Sequence, residues 1–322
     1  MKHWLCGLLA ALLLAALLVG CGATDKPSDA TGDSTASDGK LNVVTTIFPP
    51  YDFVRQIAGD AVSLTMLLSP GNESHDFEPT LSDAATVEAA DLFVYIGGES
   101  DENWVPDLLA SVSDTNTLAL TDCVSLNEEE TVEGMQKEQE AEEAEGVAYD
   151  EHVWTSPKNA IKIVQALCDA LCSLDPDNAD LYQTNTAAYV EELHALDADF
   201  EALVANAARN TILFEGRFPF RYLCADYGLQ YYAALAGCAA DTEVSLSTIS
   251  FLIDQTKEQD IPVVFYIEFS KQTVADAICD STGAKKLLLH SCHNVSPEDF
   301  DHGVTYIDLM RQNLDHLQEA LN

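Results

Sequence analysis

The sequence predicts an α/β chain of two lobes, each a mainly parallel sheet flanked by helices, joined by one long rigid helix. Three observations carry that reading. Apolar, β-branched runs alternate with helical stretches over residues 41–98, the sign of parallel βαβ units. The same alternation returns over residues 211–290. Between the two series, Leu181, Tyr182, Tyr189, Leu193, Leu196, Phe200 and Leu203 recur at three-, four- and seven-residue spacings, and no Gly or Pro interrupts Asp177 to Ala208. A helix over that span is about 48 Å long, a strut rather than a hinge.

Taken in order, LNVVTTIF (41–48) reads as a strand closed by Pro49 and Pro50, and YDFVRQIAG as a helix stopped at Gly59. VSLTMLL (62–68) is a second strand, ended by Ser69, Pro70 and Gly71. SDAATVEAA has helical character and leads into DLFVYIGG (91–98), a third strand. An acidic insertion occupies residues 127–148. Its EEETVEGMQKEQEAEEAE holds nine glutamates against one lysine and reads as a solvated segment, at most a weak and unselective trap for cations. The first lobe thus covers 41–156, connecting helices 157–210 and the second lobe 211–322. In the second lobe TILF (211–214), QYYAAL (230–235), VVFYIEF (263–269) and KLLLH (286–290) read as strands. SLSTISFLIDQTKEQD and KQTVADAICDSTG are the helices between them, the latter closed by Gly283. No internal sequence repeat is long enough to cite.

The first twenty residues read as an export signal. Lys2 and His3 precede an apolar run, Leu8–Val19, too short to span a bilayer but suited to a secretory h-region. It ends in Leu18-Val19-Gly20-Cys21, which resembles a bacterial lipobox; the resemblance implies lipidation of Cys21 and an anchor on the outer face of the cell membrane. Residues 22–40 are polar and read as a flexible tether. The net charge of −39, from 54 acidic and 15 basic side chains, argues against nucleic acid and anionic lipid surfaces as partners. Seven cysteines remain beyond Cys6 and Cys21, an odd number whose pairing the sequence leaves open. Cys168 and Cys172, four apart in a helical stretch, read as core residues.

Eight histidines carry the functional question. His3 goes with the signal, His194 and His316 sit among polar helical neighbours, and His302 lies in an acidic loop. His75 (SPGNESHDFEPT), His152 (YDEHVWTSP), His290 and His293 (LLLHSCHNV) each fall after or near a strand end, where ligand sites of parallel sheets lie. Neutral imidazoles converging at such a place suit a transition metal.

Here the sequence resembles a known family. SPGNESHDFEPT looks like the first ligand loop of the cluster A-I metal-binding proteins, the zinc and manganese solute-binding components of ABC transporters. DEHVWTSP resembles that family's second loop, D-P-H-x-W-x-x-P. The lipobox, the charged insertion and the long helix match as well. The resemblance implies capture of a metal between two lobes and its delivery to an ABC permease by a lipid-anchored monomer that catalyses nothing. Two positions depart from the family. Its third ligand, His or Glu, precedes an aromatic motif; here the stretch reads FEGRFPFRYLCADYGL, which puts Arg217 at the histidine's place, or else matches Glu215 to the glutamate. Its fourth, an aspartate closing the last strand, is matched by His290. His75, His152 and His290 then remain as ligands, with His293 as a fourth ligand, an outer partner or a turn cap. Glu215, Arg217 and Glu268 are candidates for a supporting role, Arg217 through an ion pair with Glu215 or Glu268. Three imidazoles favour Zn(II) over Mn(II). A manganese or iron binder, an adhesin on the same fold and a secreted zinc hydrolase are the rival readings; the last lacks an HExxH helix.

Overall fold

Four parallel strands in the order β2-β1-β3-β4 make the first sheet: β1 (Leu41–Thr45), β2 (Val62–Met66), β3 (Leu92–Tyr95) and β4 (Asn116–Ala119). The computed structural model describes residues 39–73, 77–112, 115–136, 147–237 and 243–322. Residues 1–38 with Cys21, residues 137–146 of the acidic insertion, Cys238 and His75 lie outside the described residues. Helices α1 (Phe48–Ala58), α2 (Leu81–Glu88), α3 (Glu99–Glu102) and α4 (Val105–Ser111) link the strands. Pro49 and Pro50 do not close a strand, as the sequence suggested; they sit in the first turn of α1. A proline is at home there, because the N–H it lacks has no partner in the helix and its φ is already helical.

Next come α5 (Pro157–Leu174) and α6 (Ala179–Asn206). With 28 residues, α6 is about 42 Å long. It is shorter than the periodicity suggested because Pro176–Asn178 form a 3₁₀ turn, where Asp175 accepts hydrogen bonds from Asn178 Nδ2 and the Tyr182 hydroxyl. One stripe of α6 is buried, Tyr182, Thr186, Tyr189, Leu193, Leu196 and Phe200, while Leu181 faces out.

The second sheet is two parallel pairs, β5 (Thr211–Leu213) with β6 (Gln230–Tyr232) and β7 (Val263–Tyr266) with β8 (Lys285–Leu288). A parallel bridge, Phe214 to Phe265, and the Glu215 N–H donating to the Phe265 carbonyl join the pairs. The order is therefore β6-β5-β7-β8, the topology of the first sheet again. Helices α7 (Arg221–Tyr227), α8 (Leu246–Glu258), α9 (Thr273–Thr282), α10 (Pro297–Asp301) and α11 (Tyr306–Leu321) complete it. The long helix α6 packs on α1 and α5 and also on α7 and α11, so it braces elements belonging to both sheets. The main apolar core likewise runs without a break from Phe53 and Trp154 through Leu193 to Phe220 and Tyr306. Opening the lobes widely would expose part of that core to water, which opposes it. No helix among the described residues is long and apolar enough to cross a membrane.

Candidate metal centre

Past β4 and the insertion, the chain reaches Asp150-Glu151-His152 and turns through a 3₁₀ segment, Val153–Thr155, into α5, which Pro157 opens. That loop is pinned on several sides. The Tyr222 hydroxyl donates to the Asp150 carbonyl and accepts from the Asn127 N–H. Trp154 Nε1 donates to the Ser291 carbonyl, and the Tyr306 hydroxyl to the Trp154 carbonyl. Asp150 Oδ1 accepts from the His152 N–H at 2.8 Å and lies 3.2 Å from His152 Nδ1. Burial works against protonation of His152, but the Asp150 charge and hydrogen bond outweigh it and hold the imidazole above its ordinary pKa.

The other wall comes from the loop after β8. Cys292 adopts a left-handed backbone, φ 61°, and its N–H donates to His290 Nδ1 at 3.0 Å. Beyond this tight turn His293 lines a different cavity from His290. The His293 ring meets Trp154 at 4.8 Å and stands edge-on to His152 at 5.2 Å. Glu151, His152 and His293 place one ligand atom each within 4.8 Å of one another, and all three are buried. Burial pushes the Glu151 carboxyl above its ordinary pKa, opposed by His152 and by the Ser100 N–H and hydroxyl, which donate to Oε2.

Two glycines make this arrangement possible. A Cβ on Gly98 would lie 2.2 Å from Glu151 Cβ. One on Gly237 would lie 3.1 Å from Asp150 Oδ2 and 3.2 Å from His152 Cε1. The enclosed space, lined by Asn72, Glu73, His152, Arg217, Gly237, Glu268 and His293 among others, is about 10 Å³. That is room for one ion or one water, and for no organic molecule.

The other predicted site residues fall at differing distances from this trio. His290 stands apart, opening on a separate cavity of about 400 Å³ with Leu288, Asp299 and Asp308. Its Nδ1 is 3.6 Å from Glu268 Oε2. Glu268 lies in the wall between the two cavities and accepts from the Ser291 N–H and hydroxyl. Glu215 is turned away, its carboxylate accepting from the Ser270 hydroxyl and from the Ala275 N–H in the first turn of α9. Arg217 does face the cavity, but it pairs with Glu73 at 3.4 Å rather than with Glu215 or Glu268. The reason is that both those carboxylates are already held by backbone and hydroxyl donors on their own lobe. His75 is outside the described residues, but its loop is tied to the His293 segment: Asn294 Nδ2 donates to the Ser69 and Asn72 carbonyls, and the Gly71 N–H to the Val295 carbonyl.

Glu151, Asp150 and Glu73 were not singled out from sequence. Glu151 had a visible signal, since it stands where the resembled motif D-P-H has proline. Glu73 had none, because an acidic residue in a polar loop is the commonest case.

Comparison with known proteins identifies the family. Residues 43–320 match the family described as ZnuA, zinc-uptake complex component A, periplasmic. The high-affinity zinc uptake system protein ZnuA of Bacillus subtilis is 33% identical over 326 residues, covering 99% of this chain and 98% of its own length. The zinc-binding lipoprotein AdcA of Streptococcus pneumoniae is 33% identical over 316 residues, 97% of this chain; the match spans only 60% of AdcA. The crystal structure of the Zn(II)-bound ZnuA-like domain of that AdcA superposes with a TM-score of 0.72 at 32% identity, covering 88% of this chain and 99% of the domain. With that span and identity, the chain belongs to the ZnuA family of zinc-uptake complex components.

Proposed function

We propose that this chain is the extracytoplasmic solute-binding component of an ABC-type metal permease and that its cargo is Zn(II). The observation that carries the reading is the buried Glu151–His152–His293 cluster, two of whose members, His152 and His293, line a space of one ion's size. Two imidazoles and a carboxylate are zinc donors, and a fourth position completes a tetrahedron. We assign that position to His75, whose loop Asn294 holds against the His293 segment. His290 then supports rather than ligates, its Nδ1 engaged by the Cys292 N–H. The Arg217 guanidinium, always charged, is a wall of the site and not a ligand. The finer parts of the reading are anchoring through Cys21 on the outer face of the membrane, action as a monomer, and transfer of the ion to the permease. The reading gives the chain no catalytic step, and a cavity sized for one ion favours carriage over hydrolysis.

Zinc content and competition affinity of the folded domain test it. The wild type should hold one Zn(II) per chain, and His152→Ala should lower affinity by about 100-fold or more, beyond the 10–100-fold usual for outer-shell partners. Unchanged stoichiometry and affinity in His152→Ala would refute the site.

A further inference from the structure

The space beside His152 and His293, offered above as the seat of a dication, has a cation in its own wall. Three charged side chains line it, Glu73, Glu268 and Arg217, and Arg217 is the one positive group among the described residues there. A guanidinium stays protonated at any working pH, so it opposes every divalent ion that enters. The Arg217 side chain is only 16% exposed, and water screens its charge weakly. A cation-binding cavity built with such a group calls for a reason.

The reason lies in its partner, Glu73, at 3.4 Å. Both ends of the pair are fixed by the backbone that carries them. Arg217 makes a parallel bridge to Leu235, whose N–H donates to the Gly216 carbonyl. The next residue, Phe218, is buried, stacked on Tyr231 and edge-on to Phe214. Glu73 follows the turn that the Gly71 N–H fastens to the Val295 carbonyl and Asn294 Nδ2 fastens through Ser69 and Asn72. The pair thus joins a segment that follows β2 to one that follows β5. A partly exposed ion pair adds little to stability. What this one changes is the charge and the set of donors that an ion meets.

Glu268 is tied down by the Ser291 N–H and hydroxyl, so Glu73 is the carboxylate whose availability Arg217 governs. In the zinc reading, Glu151, His152, His293 and a fourth donor fill a tetrahedron, and Zn(II) has little use for one more oxygen. Mn(II), Mg(II) and Ca(II) take about six or more ligands, mostly oxygen, and would gain from it. We infer that the Arg217–Glu73 pair sets the metal preference of the cavity: Arg217 withholds the Glu73 carboxylate from oxygen-seeking cations, and Glu73 cancels the guanidinium charge that would otherwise repel zinc. The inference rests on the zinc reading above and adds what keeps harder cations out.

Competition titration of the full chain with Zn(II) and with Mn(II) tests it. Arg217→Gln should raise Mn(II) affinity about ten-fold or more and Zn(II) affinity by less, narrowing the preference for zinc. Glu73→Gln leaves the guanidinium uncompensated and should weaken both metals about ten-fold with their ratio unchanged. The double variant, neutral at both positions, should return both affinities to within about three-fold of the wild type. A gain and a rescue are results that misfolding does not produce. A zinc-to-manganese ratio unmoved by Arg217→Gln overturns the inference and leaves the zinc reading intact. So does a double variant no better than Glu73→Gln, because charge cancellation would then not be what Glu73 supplies. A wild type that binds no zinc overturns the zinc reading itself, and the inference with it.

Discussion

His290 and His293 are three residues apart, and one backbone conformation decides between them. The sequence places His290 at the end of an apolar run, where a ligand is looked for, and His293 beyond it. Cys292 enters the left-handed region between them, which a non-glycine residue adopts at a cost, and the ring of His293 comes to Trp154 and His152. Nothing in the residue types LHSCHN announces that turn, so which imidazole joins His152 and Glu151 was illegible until the backbone was known. The expected result is a sharp contrast. His293→Ala should lower zinc affinity about 100-fold or more, whereas His290→Ala should stay within the 10–100-fold range of a supporting residue, or below it. Competition titration of both variants reads this, and a larger loss for His290→Ala would reverse the assignment.

The turn between β3 and α3 gives a prediction of another kind. Gly98 has φ −117°, a conformation open to any residue, so an alanine there strains no backbone. Its Cβ would nevertheless overlap the Glu151 side chain at 2.2 Å. Gly98→Ala should therefore cost about 1–3 kcal/mol, as overpacking does, and weaken zinc binding by displacing Glu151. Gly216→Ala is the control: its Cβ meets nothing within 4 Å, so the change should stay within about 0.5 kcal/mol. Urea unfolding of both variants decides, and equal stabilities would show that Glu151 moves aside freely. The elements themselves were mostly legible, because central strands such as β3 and β7, buried on both faces, and a six-residue buried stripe on α6 leave strong signals. β4 was missed for a physical reason: Asn116 and Thr117 are exposed, which leaves only Leu118 and Ala119 to mark a strand. The repeat of topology was illegible as well. Equivalent strands in the two sheets share a place in the strand order but few side chains.

Across the molecule, one core and one long helix join the two sheets, and the proposed metal site lies where segments of both meet. Asp150 to His152 follow the first sheet, Arg217 and His293 belong to the second, and Asn294 hydrogen-bonds the Ser69–Asn72 turn back to it. A ligand bound across such a junction stabilises the whole unit, because separating the lobes or unfolding either one releases it. Linkage gives the magnitude: with free zinc at about 1,000 times the dissociation constant, unfolding free energy rises by about 4 kcal/mol. Thermal unfolding of the domain should therefore shift upward as a single transition on adding zinc, and a chelator should return it to the apo value. His152→Ala should remove nearly all of the shift while unfolding near the apo temperature of the wild type. Two transitions, with zinc raising only one, would mean that the ion is held by a single lobe. In that case the continuous core from Phe53 to Tyr306 would not be what couples capture to the fold.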